Sequence, residues 1–395
     1  MAKDLFKVFL FFFFKIIPKK KNLIVFGDRA GLRFADNSRH LFFYLNKNYK
    51  KFQCVWITKN KKIIKYLNDS GYLSYHCYSI KGLYYCLIAK WHLYNFVEND
   101  INPVITRFSN SILLWHGVLP KKLKKIYIST SFISRVINQN IKKFFLYTNK
   151  NLSVNILQRF QKDKYKLIVS DLPRNLILQN QKDIKYFTTK DEMNFIKNIQ
   201  KSNKKVFGYF PTWRKNGLEL FLDVKDFKLL KKTDEILRKN NSIILIKKHM
   251  NSEKNDKNIH YNEDIEKISN YLSSLKSVRF INYQFDLNSI LNVCDVLISD
   301  YSGVIFDFLY LNKPVIIYAP DYKKFKKENG FMIDPINENF GHYARNLENL
   351  NQLINKYSSQ PQKFSGRFEI NRIKLKNKIF TKQNSIKEII DILNN

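Results

Sequence analysis

The chain has 395 residues, enough for about two domains with sizeable cores. Hydrophobic residues make up 45% and aromatic residues 15%, which excludes a disordered chain. The formal net charge of +36 calls for an anionic partner: nucleic acid, a phosphorylated substrate or an anionic membrane face.

Residues 1–17 form an apolar segment interrupted by Lys7 and Lys15. It falls short of the roughly 20 apolar residues a bilayer span needs. Lys19, Lys20 and Lys21 follow it, so shallow insertion beside anionic headgroups is expected. Packing of the segment on the protein body is the alternative. Asn22 to Gly27 then reads as a buried strand, Asp28 to Asn37 as a polar loop, and Ser38 to Asn48 as a helix. A strand at Gln53 to Thr58, helices at Lys61 to Ser70 and Tyr78 to Ala89, and a strand at His92 to Val97 continue the alternation. Strands and helices of these lengths in turn predict a parallel α/β domain.

The Ser111 to Trp115 strand runs into His116-Gly117. A histidine just past a strand, before a glycine that lets backbone approach a ligand, is a site position in an open α/β sheet. Strands at Lys142 to Leu146 and Tyr165 to Ser170 follow, the second leading to Asp171-Leu172-Pro173-Arg174. An arginine there can fork onto a phosphate. The polar stretch Gln179 to Lys205 predicts a helix plus linker, and the domain boundary.

Val206 to Phe210 restarts the sheet and opens onto Thr212-Trp213-Arg214. After a helix at Asp226 to Asn240, the Ser242 to Ile246 strand opens onto Lys247-Lys248-His249. Arg279 to Asn282 and a short helix at Asp286 to Leu291 precede a βαβ unit. In that unit a strand from Val293 to Ile298 meets Ser299, Asp300 and Ser302. A helix from Val304 to Leu311 follows, with Ser302 placed to cap it, and then a strand from Pro314 to Tyr318. Free N–H groups at such a helix start favour phosphate. A helix at Tyr322 to Glu328 and helices at Leu347 to Tyr357 and Lys374 to Leu393 close the chain. Cys54, Cys77, Cys86 and Cys294 show no metal spacing, which fits buried thiols in a reducing compartment.

Five polar clusters therefore follow strands: His116-Gly117, Arg174, Thr212 to Arg214, Lys247 to His249, and Asp300 to Ser302. Two α/β domains facing each other would gather them on one cleft, with a phosphorylated donor in one domain and an acceptor in the other. The order WHG, LPRN, PTWR, KKH and SDYSGVIFDF, with PKKKNLIVFGDRAG and DNSRHLFFYL before it, resembles the CDP-glycerol glycerophosphotransferases of teichoic acid and capsule synthesis. The likeness runs from about Pro18 to Pro335.

That resemblance implies a GT-B architecture, two Rossmann-like domains facing a central cleft. The expected bodies are an N-terminal acceptor-side domain at 18–190, a CDP-glycerol-binding domain at 200–360, and C-terminal helices at 361–395. It implies glycerol phosphate transfer from CDP-glycerol to a lipid-linked or polymeric acceptor, with CMP released, by a peripheral enzyme on the cytoplasmic face of the membrane. Carried over by position, His116 is the general base and His249 the second catalytic residue, associated with the donor phosphates. Arg214, Thr212, Lys248, Asp300, Ser302 and Gly303 lie on the donor side, with Gly117 and Arg174 supporting the acceptor side. Met250 stands where the family commonly has proline, and Gly303 where a second serine commonly follows the DYS turn. No cofactor is required; no carboxylate cluster forms a tight metal site, and dependence on a divalent metal stays open. CDP-ribitol as donor, a nucleotide sugar on the same architecture, and a basic membrane- or nucleic-acid-binding module without catalysis are the competing readings. The last leaves the polar strand ends unexplained and lacks regularly spaced base-stacking aromatics, so no nucleic-acid partner is expected.

Overall fold

The computed structural model describes residues 2–123, 140–157, 164–179, 182, 184–212, 227–247, 263–382 and 386–395. The chain divides into two compact units. The first comprises Met1–Gly117, Leu123–Phe187 and Ile379–Asn395; the second comprises Val118–Lys122 and Thr188–Lys378.

The first unit is built on a seven-stranded sheet. In chain order its strands are β1 (Lys20–Gly27), β2 (Gln53–Thr58), β3 (Leu73–His76), β4 (Ala89–Tyr94), β5 (Ser111–Leu113), β6 (Lys143–Tyr147) and β7 (Lys166–Val169). They lie in the order β3-β2-β1-β4-β5-β6-β7, and every pairing is parallel. Leu23, Ile24, Val25 and Phe26 are wholly buried, as expected of a central strand covered by helices on both faces. Helix α1 (Ala2–Ile16) lays Phe11 and Phe14 against the body, where Phe108 and Ile141 receive them, while Phe9, Phe12, Phe13 and Ile16 face outward. Helix α2 (Asp36–Asn48) covers β1 and β2 with Leu41, Phe42 and Leu45.

The second unit carries six parallel strands: β8 (Lys205–Tyr209), β9 (Ser242–Ile246), β10 (Val278–Phe280), β11 (Val296–Ser299), β12 (Val315–Tyr318) and β13 (His342–Ala344). Their order is β10-β9-β8-β11-β12-β13. The core combines Phe207, Ile244, Ile298 and Ile316 from the sheet with Leu230, Leu237, Leu350 and Ile354 from covering helices. Both sheets begin as doubly wound sheets do. The chain works outward from the first strand and then returns to its other side, so loops leave β1 and β4, and likewise β8 and β11, in opposite directions. Ligands bind at the carboxyl ends of such strand pairs.

Several expected elements are corrected. The boundary, between Phe187 and Thr188, lies inside the expected Gln179 to Lys205 stretch, but residues 361–395 are no separate body: the last of them, from Ile379, belong to the first unit. No single helix spans Lys374 to Leu393. Helices Glu369–Ile379 and Lys387–Asn394 are distinct, and between them Thr381 bonds the Thr148 carbonyl through its N–H (3.2 Å) and hydroxyl (2.8 Å). The run after Ser302 is a four-residue helix, Val304–Asp307, continued by a 3-10 turn, Phe308–Leu311. Its N-cap is Gly303 with no side-chain capping bond, so Ser302 does not cap it.

Candidate active site

In the first unit, His116 stands just beyond β5 on an unusual turn: Trp115 has φ +59° and Gly117 φ +109°. Hydrogen bonds from elsewhere in the unit hold this turn. Asn37, at the start of α2, donates its carboxamide N–H to the carbonyls of Leu114 (3.3 Å) and Trp115 (2.9 Å). Arg174 donates Nη1–H to the His116 carbonyl (2.7 Å) and pairs with Asp36 at 3.0 Å. The Arg174 backbone N–H is itself received by Asn37 Oδ1 at 3.1 Å. A side chain on Gly117 would land on the Arg174 guanidinium, so both the positive φ and the close approach require glycine. Arg174 therefore fixes the histidine's backbone. The partly buried His116 packs its ring on Trp115 (centroids 4.0 Å apart) and on Phe96 (4.7 Å).

Phe96 lies just past β4, beside β5 in the sheet. Its ring also carries the Arg29 guanidinium, 4.2 Å from the centroid. Arg29 lies just past β1, in a turn where Arg29, Ala30 and Gly31 all have positive φ. One carboxylate ties the two loops together. Asp100 accepts the Ala30 N–H (2.8 Å) on one oxygen and the Phe96 (2.7 Å) and Val97 (3.4 Å) N–H groups on the other. Behind them, Asn95 donates to Asp28 (2.9 Å) and accepts from the Ser38 N–H (3.0 Å) and hydroxyl (3.1 Å). Burial, with the neighbouring Asp36 and Asp100 carboxylates, pushes the Asp28 carboxyl up to about 8.

In the second unit the equivalent strand ends are joined directly. Thr212, past β8, donates its N–H (2.8 Å) and hydroxyl (2.6 Å) to one Asp300 oxygen, past β11. Ser299 donates to the Phe210 carbonyl at 2.6 Å. Asp300 thus holds its own loop to that of Thr212. Tyr301 points inward, stacked on Phe325 at 3.9 Å and bonded to Asp321 at 3.0 Å. Ser302 and Gly303 are half-exposed, and a Cβ on Gly303 would lie 2.6 Å from the Val118 carbonyl oxygen. Lys247 donates to the carbonyls of Asn282, Tyr283 and Phe285 at 3.1, 3.0 and 2.6 Å, a structural use of its charge. Arg214, Lys248 and His249 lie outside the described residues.

His116, Gly117 and Arg174 are therefore brought together in one unit, and Thr212, Asp300, Ser302 and Gly303 gather at neighbouring strand ends of the other. Arg29, Asp36, Asn37, Phe96 and Asp100 were not among the expected site residues. Arg29, Asp36 and Asn37 lie in the GDRAG and DNSRH stretches that carry the resemblance, Phe96 and Asp100 had no signal beyond lying just past an apolar run, and strand order is what makes them neighbours. Among the described residues, no group of three or more His, Cys, Asp or Glu side chains is placed to hold a metal.

Two parallel-sheet units, each with polar side chains at the carboxyl ends of its reversing strand pair, define a GT-B-type transferase fold. The solved wall teichoic acid polymerase TagF has the same fold: TM-score 0.68 at 18% identity, covering 99% of this chain and 93% of that one. A model of the family described as CDP-glycerol:poly(glycerophosphate) glycerophosphotransferase matches residues 9–385. The chain belongs to that family and is a glycerophosphotransferase. It is 27% identical over 343 residues to a teichoic acid poly(glycerol phosphate) polymerase of Bacillus spizizenii, covering 81% of this chain and 79% of that protein. A teichoic acid glycerol-phosphate transferase of Staphylococcus aureus is 25% identical over 375 residues, covering 87% and 88%. Against the Bacillus subtilis polymerase, 24% identical, the chain spans 46% of the relative's length.

Proposed function

We propose that this protein transfers glycerol phosphate from CDP-glycerol to a hydroxyl of a lipid-linked or polymeric teichoic acid acceptor, releasing CMP. The observation that carries this reading is the His116 turn: a partly buried histidine at a strand end, its backbone held by Asn37 and Arg174. The acceptor O–H gives its proton to the His116 imidazole. The oxygen forms a bond to the glycerol-bearing phosphorus, the P–O–P bond breaks in line, and its electron pair leaves on CMP. A neutral imidazole positioned at the acceptor hydroxyl is a competent general base. Charge on the phosphoryl oxygens needs fixed donors. His249, Arg214 and Lys248 are assigned that role, with the Ser302 hydroxyl and the Gly303 backbone on the same donor side. Thr212 and Asp300 set the donor loops.

His116→Ala should lower CMP release from CDP-glycerol by on the order of 10² to 10⁴, the usual contribution of a positioned base, without lowering the melting temperature. Turnover at the wild-type rate would remove His116 from the chemistry. Comparing CDP-glycerol with CDP-ribitol and a UDP-sugar in the same assay identifies the donor.

Association with the cytoplasmic membrane face belongs to the same proposal. Among the described residues, no helix is long and apolar enough to cross a membrane. Outward Phe9, Phe12, Phe13 and Ile16 on α1, followed by Lys19 to Lys21, suit insertion at the level of anionic headgroups.

A further inference from the structure

The ends of β1, β4 and β5, adjacent in the sheet, set Arg29, Phe96 and His116 in a row. Phe96 is their common surface, with the guanidinium 4.2 Å from its centroid and the imidazole centroid 4.7 Å away. We infer that Arg29 binds a phosphate of the acceptor, one glycerol phosphate step from the hydroxyl that His116 deprotonates; this rests on the assignment of His116 as the base.

The spacing fits. The guanidinium carbon lies within about 9 Å of the imidazole centre, since both rest on one ring. An extended glycerol phosphate places its free hydroxyl about 6 Å from its phosphorus, and a guanidinium gripping a phosphate sits about 4 Å from that phosphorus. One unit of a glycerol phosphate chain therefore bridges Arg29 and His116 without rearrangement.

The charge also fits. Three carboxylates stand nearby, and each is engaged elsewhere. Asp36 is paired with Arg174, and both Asp100 oxygens receive backbone N–H groups. Asp28 accepts from Asn95 and, with its carboxyl near 8, is mostly protonated at neutral pH. Among the described residues, the Arg29 guanidinium has no carboxylate partner and rests on an aromatic face, and the residue is partly exposed. Arginine stacked this way keeps its N–H fork free for an oxyanion. The left-handed turn at Arg29 to Gly31 is conformationally expensive, and Asp100 holds it against Phe96. The loop is thus fixed before any acceptor arrives.

The test pairs binding with kinetics. The 395-residue protein and its Arg29→Gln and Arg29→Lys variants are titrated with glycerol 3-phosphate and, separately, with glycerol. Arg29→Gln should weaken glycerol 3-phosphate binding at least tenfold, Arg29→Lys should restore part of it, and glycerol should not distinguish the proteins. In the transfer assay, Arg29→Gln should raise KM for an acceptor ending in glycerol phosphate about tenfold, with KM for CDP-glycerol within twofold of wild type. Three outcomes overturn the inference: no glycerol 3-phosphate binding by wild type, equal binding by Arg29→Gln, or a matching rise in KM for CDP-glycerol. If binding depends on Arg29 but CDP-glycerol yields no CMP, the donor assignment fails and the phosphate site stands.

Discussion

Gly117 concentrates the demands of the site on one residue. Its φ of +109° suits glycine, and the space a Cβ would fill belongs to Arg174. Gly117→Ala should therefore act twice, straining the backbone by roughly 1–3 kcal/mol and displacing the guanidinium that holds the His116 carbonyl. We expect a lower melting temperature together with a loss of kcat larger than stability alone explains. A variant with full activity would show that the turn tolerates a different shape. Arg174 carries a related lesson. An arginine past a strand suggested a phosphate ligand, yet its Nη1 is committed to Asp36 and to the histidine's backbone. Residue type alone does not separate binding a ligand from holding the residue that binds it.

Among the elements, what could be read ahead of the fold follows from burial. Leu23 to Phe26, Ile243 to Ile246 and Val296 to Ile298 are apolar runs buried on both faces, and such runs announce themselves. The strands that escaped notice, Leu73–His76 and His342–Ala344, are the outermost of their sheets on those sides. They are short and partly exposed, so neither alternation nor a continuous apolar run marks them. The strand-end position of His116 was legible for the same reason as the central strands. The neighbourhood of Arg29, Phe96 and Asp100 was not, because it depends on β4 lying beside β1, a pairing across more than sixty residues. Helix α1 packs one face on the body and leaves the other exposed, and membrane attachment through that exposed face is the part of its reading that experiment has to decide. Its faces can be tested apart. Replacing Phe9, Phe12 and Phe13 with serine should reduce sedimentation with anionic lipid vesicles and leave the melting temperature nearly unchanged. Replacing Phe11 and Phe14 instead should destabilise the first unit by several kcal/mol, as lost buried aromatics do. Equal vesicle binding by the first variant would assign attachment to the basic surface.

The molecule as a whole should show an unusual balance of stability with pH. The Asp28 carboxyl titrates at about 8 in the fold against 3.8 as a free group. The folded state therefore holds this proton more tightly, and the stabilisation present below pH 4 is lost as pH rises towards 8. Buried His92 runs the other way. It bonds Thr106 and the Cys86 carbonyl, and burial lowers it to about 3, so its contribution is present above 6.5 and is lost as pH falls. Lys143, lowered to about 7 by burial, likewise gains stability as pH rises above that value. Comparing wild type with Asp28→Asn cancels the terms the two proteins share. The variant's melting temperature relative to wild type should climb steadily from pH 4 to pH 8, and a constant difference would mean that Asp28 is ionised in the fold.

The path of the chain through its two units bears on the order in which the protein can be made. Ile389 and Leu393, near the last residue, are buried in the first unit, where their helix packs by β7 and Thr381 bonds Thr148. The second unit draws on residues 118–122 and 188–378. During synthesis it has all of its sequence before the first unit has its final segment. Domains generally fold as units while the chain emerges, the N-terminal one first. Here residues 379–395, which the first unit needs, follow all of the second unit's sequence, so the first unit cannot close until the second has been made.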